Sequence, residues 1–146
     1  MHYGSSDTYE IRTYSSTGEL VRIIRSARAS PLSRREIEAE LEAGSADSKE
    51  ALSRISYPET KPAYSAMKAS ADGNLWVRDY VERGEGDAAQ RWTVFGAAGD
   101  LRGWVSTPPR FTVHDIGTDY VLGVGRDELD VERILLYPLT VGRCGS

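Results

Sequence analysis

Between Ala63 and Thr107, short apolar runs alternate with polar clusters, in the order AYSAMKAS, SADG, NLWVRDYV, ERGEGDAAQ, RWTVF, GAAG and LRGWVSTP. Runs of that length bounded by turn residues predict four successive β-strands. In SADG and GAAG a glycine stands just before the next run, where it can take the positive φ of a tight antiparallel turn, so the strands read as a meander. Apolar and aromatic residues occupy both parities of the middle strands: Leu75 and Val77 against Trp76 and Tyr80, then Trp92 and Val94 against Phe95. A sheet with one wet face alternates more cleanly, so this sheet is predicted to be covered on both faces, as in sheets stacked around an axis.

The unit recurs along the chain. TVFGAAGDLRGWV around Phe95 resembles RTYSSTGELVRII around Tyr14, and ERILLYPL puts Tyr137 in the aromatic place. These aromatics are 81 (95 − 14) and 42 (137 − 95) residues apart, and propeller blades repeat at about 40 to 45 residues. GNLWVRD, from Gly73 to Asp79, is answered by DYVLGVGRD, from Asp119 to Asp127, and both end in Arg-Asp. The predicted fold is therefore all-β, a partial β-propeller of four-stranded antiparallel blades in a single domain. Residues 8–25 supply the last two strands of one blade, 26–62 an insertion, 63–107 a complete blade, 110–139 a three-stranded terminal blade and 140–146 a tail. That is roughly two and a quarter blades, where closed rings hold about four to eight.

DGNLWVRDY, the aromatic before GAAGDL, and YVLGVGRDELDVERILLYPL together resemble the C-terminal blades of bacterial six-bladed β-propeller proteins of the NHL-repeat or TolB-like type. The resemblance runs from about Thr8 to Leu139 and leaves the insertion as a variable part. It implies a fold more than a function, since such families include scaffolds, ligand binders and a minority of enzymes. Many bacterial relatives are exported, which leaves an exported or periplasmic location open for the complete protein, but no residue here points to one.

The insertion has its own pattern. Ser30-Pro31 breaks the strand period, and Ser33 with Glu36 forms a capping box ahead of Ile37 and Leu41, one turn apart on a helix face. Gly44 and Ser45 end that helix, and Asp47 can cap a second one carrying Ala51, Leu52 and Ile55. Two helices are thus expected between the first and second blades. Acidic residues dominate the first of them, which speaks against a DNA-reading role.

Composition narrows the partners. The chain has 146 residues, 40% of them hydrophobic and 27% charged, which is ordinary for a globular protein. A net charge of −4 without a basic stripe argues against nucleic acid. The one cysteine, Cys144, cannot form an internal disulfide. No apolar run reaches membrane-spanning length, and MHYGSSDTYE lacks the basic start and apolar core of a signal peptide. No phosphate loop, paired-cysteine metal spacing or nucleophile elbow is present, so no cofactor is expected.

In a four-stranded meander, the first-to-second and third-to-fourth connections leave one edge of the ring and all others leave the opposite edge. The turns SSTG, SADG, GAAG and GTD belong to the first group, and the insertion, ERGEGDAAQ and RDELD to the second. The long polar material is therefore expected on one face, and loops on a rigid scaffold are where binding residues concentrate. Candidate ligand-binding residues are Arg78, Asp79, Arg126 and Asp127 at the strand ends, together with His114 and Asp115 on the innermost strand FTVHDIG. The Arg-Asp pairs read most simply as ion-pair clips between neighbouring blades. The inward-facing residues His114, Asp115 and Lys68 fall short of a metal shell or catalytic set, and His114 reads as a packing residue or channel lining. His2 sits near a terminus expected to be mobile. Trp76, Trp92 and Trp104 read as packing between blades.

Two functional classes follow. The first is a non-enzymatic binding or scaffold module, read as the C-terminal part of a larger propeller, whose partners are the missing blades, another protein or a small ligand. The alternative is part of a propeller hydrolase or lyase, with a channel metal site completed by missing blades. A partial ring exposes strand edges and apolar flanks, so self-association is also expected.

Overall fold

The computed structural model describes residues 1–5, 8–26, 62–81 and 88–140. The expected helices, most of the ERGEGDAAQ loop and Cys144 lie outside the described residues. Within them every element is a β-strand: β1 (His2–Ser5), β2 (Glu10–Tyr14), β3 (Leu20–Arg25), β4 (Tyr64–Ala69), β5 (Leu75–Asp79), β6 (Gln90–Phe95), β7 (Leu101–Thr107), β8 (Phe111–Ile116), β9 (Tyr120–Arg126) and β10 (Glu132–Pro138). All pairings are antiparallel and join strands consecutive in sequence. The chain divides into two compact units, Met1–Ala63 and Tyr64–Ser146.

The first unit carries the sheet β1-β2-β3. Sequence reading anticipated β2 and β3 but not β1, and it expected a mobile start. Instead Met1 is held at both ends of its backbone: its amino group donates to the Tyr14 carbonyl and its carbonyl accepts from the Tyr14 amide, each at 2.8 Å. The His2 Nδ1 sits 2.9 Å from Thr13 Oγ1. HYGS has too few apolar residues to signal a strand on its own, so the pairing edge of β2 recruits it. Ile11 and Ile24, opposite each other in register, are the buried centre of this sheet.

The second unit holds a four-stranded sheet, β4-β5-β6-β7, and a three-stranded one, β8-β9-β10. The expected double coverage of the larger sheet is borne out, because Leu75, Trp76 and Val77 are all buried in succession, as are Trp92, Thr93, Val94 and Phe95. One face contributes Trp76, Trp92 and Val94 to a core completed from the smaller sheet by Phe111, Val113, Ile116 and Val121. Trp76 and Trp92 meet edge to face at 6.3 Å, and the Trp92 indole N–H donates to Thr107 Oγ1 at 3.2 Å, so its one polar atom is satisfied. Trp104 departs from expectation: it lies 54% exposed, with the Arg91 guanidinium 4.8 Å over its ring.

Glycine on β9 makes this core possible. A Cβ at Gly123 would stand 2.2 Å from the Thr112 carbonyl and 2.5 Å from the Phe111 ring, and one at Gly125 would meet Leu135 at 2.6 Å. The Phe111 ring therefore lies over bare backbone, and Tyr137 closes on it edge to face at 5.2 Å.

One turn design recurs in both units. In the β2–β3, β4–β5 and β6–β7 connections, a residue with positive φ (Gly18, Gly73, Gly99) donates its N–H to the carbonyl three residues earlier, at 2.9 to 3.1 Å. This is a type I turn with a bulge glycine, and only a residue tolerant of the left-handed region fits it cheaply. Within the second unit the Ala71 amide donates to the Ile116 carbonyl at 2.9 Å, so the tight turns of both sheets lie at one end. The connections after β5, β7 and β9 leave from the other.

Candidate functional site: a cleft at the loop end of the second unit

The β9–β10 connection, RDELD, was expected as a long variable loop, yet it adopts the same tight turn. Asp130 takes the glycine place with φ 63°, and its amide donates to the Asp127 carbonyl at 3.0 Å. Asp127 Oδ1 accepts from the amides of Leu129 (2.9 Å) and Val131 (3.0 Å), as Ser15 Oγ accepts from Thr17 and Glu19 in the β2–β3 turn. The Val131 amide, seconded by that of Leu129 and by the nearby Arg133 and Arg110, holds the Asp127 carboxyl below the usual carboxylate range against the opposing push of desolvation.

Arg110, in the β7–β8 connection, also has positive φ, 54°. Its carbonyl accepts from the Arg126 amide at 3.0 Å, and its guanidinium pairs with Asp130. The two connections are thereby locked together beside Pro108 and Pro109. Between them opens a cleft of about 260 Å³ whose lining includes Phe111, Gly125, Leu135 and Tyr137 together with the polar Arg126, Asp127 and Arg133. Arg126 is engaged by Glu132 at 2.6 Å. Arg133 is held only loosely, 3.5 Å from Asp127 Oδ2, and is 69% exposed. Such a volume admits one side chain or a small ligand, and a loosely held guanidinium beside aromatic and aliphatic side chains can take an anionic group attached to an apolar body.

The other candidate residues lie elsewhere. Arg78 Nε donates to Ser65 Oγ at 2.7 Å and Nη1 to Gln90 Oε1 at 3.1 Å, with the guanidinium 5.7 Å from the Trp92 ring centroid. Asp79 accepts from Thr93 Oγ1 at 3.3 Å and faces Arg91 at 3.8 Å. The clips expected between blades are, among the described residues, contacts within one sheet: Arg78 and Asp79 bond across β4, β5 and β6, and Arg126 and Asp127 across β9 and β10.

His114 is the bulged position between Val113 and Asp115 in the pairing of β8 with β9. The His114 carbonyl, not its ring, accepts from Lys68 Nζ at 3.5 Å, and Asp115 accepts from the Tyr120 hydroxyl at 3.0 Å, a bond that lifts the phenol above its usual range. Lys68 of β4 thus reaches the β8 backbone at His114. Among the described residues no three His, Cys, Asp or Glu side chains converge on a point that could hold a metal ion.

Sequence reading found Arg126 and Asp127 but missed Arg110, Asp130 and Arg133. A signal was available: Asp127 and Asp130 repeat the spacing of Ser15 with Gly18 and of Ser70 with Gly73. Compared with protein-family models, with characterised proteins and with solved structures, the chain matches none. Among the described residues no helix is long and apolar enough to cross a membrane.

Proposed function

We propose that the chain is a non-enzymatic binding module built from β-propeller blades, and that the cleft between the β7–β8 and β9–β10 connections is where it takes a ligand or a partner's side chain. The blade reading is supported by the repetition of one hairpin: Tyr14 and Phe95 each follow a bulge and stand opposite Leu20 and Leu101. The observation that carries the binding reading is Arg133, a weakly engaged cation that lines the same cleft as Phe111, Leu135 and Tyr137. An anionic group with an apolar stem would improve both contacts at once, since carboxylate and guanidinium bond in a charge-assisted pair.

N-acetylphenylalanine, titrated into isotope-labelled protein, tests this, with its primary amide as the uncharged control. The acid should shift the amide signals of Gly125, Arg133 and Tyr137, the amide derivative should do so far less, and Arg133→Gln should abolish the difference. Equal shifts from both compounds, or shifts scattered away from the cleft, would remove the proposal.

A further inference from the structure

We propose that β10 is a self-pairing edge, joining a second copy of the chain in a two-fold antiparallel sheet centred on Leu135. Among the described residues β10 pairs on one side only, with β9. The Leu139 amide bonds to the Asp119 carbonyl at 2.7 Å and the Val131 carbonyl accepts from Asp127 at 3.2 Å. Antiparallel pairing alternates, so odd-numbered residues of β10 spend their backbone groups on β9, and Glu132, Ile134, Leu136 and Pro138 direct theirs outward. The same even positions leave Ile134 80% and Leu136 61% exposed. Natural edges are usually guarded by charge, proline or a bulge. Here Glu132 and Arg133 stand at one end and Pro138 at the other, while the middle, Ile134-Leu135-Leu136, is bare.

The strand is self-complementary in one register. With Leu135 on the two-fold axis, Ile134 faces Leu136 of the second copy, Arg133 faces Tyr137 of the second copy, and Glu132 faces Pro138 of the second copy. All three outward N–H groups, on Glu132, Ile134 and Leu136, then find carbonyls on Pro138, Leu136 and Ile134 of the second copy. Proline occupies the one outward position that needs no acceptor. Centring on Ile134 instead also satisfies the backbone, but sets Leu136 against the Glu132 carboxylate of the second copy, and centring on Leu136 carries the ends past Pro138. Side-chain pairing across the seam therefore selects Leu135 as the centre. Arg133 and Tyr137 line the cleft, so the second copy would form part of its wall, although the pairing itself needs no ligand.

Light scattering on the eluting protein should give about twice the 16.1 kDa of the chain. Ile134→Lys, which sets two ammonium groups against the seam, should return the chain mass with an unchanged circular dichroism spectrum, while Ile134→Val should keep the doubled mass. The register is read by thiol trapping in a Cys144→Ser background, where the introduced cysteines are the only ones. Mixed Ile134→Cys and Leu136→Cys chains should oxidise to the mixed disulfide several-fold faster than either chain alone. A parent protein at the chain mass at every concentration, an oligomer indifferent to Ile134→Lys, or faster trapping by Ile134→Cys alone would each overturn the proposal.

Discussion

Arg110 and Asp130, both non-glycine residues with positive φ, are joined by an ion pair that ties the β7–β8 connection to the β9–β10 turn. Left-handed backbone costs an L-residue about 1 kcal/mol or more, and an exposed ion pair returns little of that. The loop end of the second unit thus keeps two unfavourable conformations, and such positions concentrate where a surface has a task.

Asp130 separates the two effects. Replacement by glycine removes the strain and the ion pair, whereas alanine keeps the strain and loses the pair. Asp130→Gly should therefore be more stable than Asp130→Ala by about 1 kcal/mol, measured by urea denaturation. Equal stabilities would mean that the backbone at this turn is not strained by its side chain.

Gly123→Ala tests the seat of Phe111. The new methyl group would press on the Thr112 carbonyl and on the ring, and overpacking of this kind costs roughly 1 to 3 kcal/mol. A melting temperature equal to that of the parent would show that β9 and Phe111 can move apart freely.

The tryptophans should divide sharply. Trp92→Ala removes a buried ring from the core and should cost about 3 to 5 kcal/mol. Trp104→Ala gives up an exposed ring with one cation–π contact, worth about 0.5 to 1 kcal/mol. Comparable losses from the two would contradict the different burial of their rings.

Acid stability should depend on Asp127 and Glu10. Hydrogen bonds from Arg25 and then Arg12 hold Glu10 below its ordinary range, as the Val131 amide holds Asp127. A carboxyl depressed in the folded state adds stability that is fully present above its unfolded pKa of about 4 and is lost as pH falls through the folded value. Asp127→Asn and Glu10→Gln should each flatten the fall in stability below about pH 4, followed by denaturation at stepped pH. An unchanged acid limb would show that neither carboxylate is bonded more favourably in the fold than out of it.

The strands from β2 to β10 were legible because their signals are local: alternating or continuous apolar runs, with glycines at most of the turns that need a left-handed residue. Even the turn at Asp127 was written in spacing, hidden because aspartate stood where the other copies have glycine. β1 was illegible for a different reason, since HYGS becomes a strand only through the free edge of β2. The Arg-Asp pairs were noticed as a repeat, but repetition cannot say whether a guanidinium reaches across its own sheet or beyond it.

For the described residues the sequence by itself determined consecutive antiparallel hairpins, with apolar residues on both faces of the middle sheet, because periodicity and turn chemistry act over a few residues. Only the tertiary structure decided that Trp92 is enclosed and Trp104 is not, that Phe111 rests on Gly123, and that Arg133 lines one cleft with Phe111 and Tyr137. Those outcomes depend on which strands lie across from one another, and contacts between residues tens of positions apart leave no periodic mark along the chain.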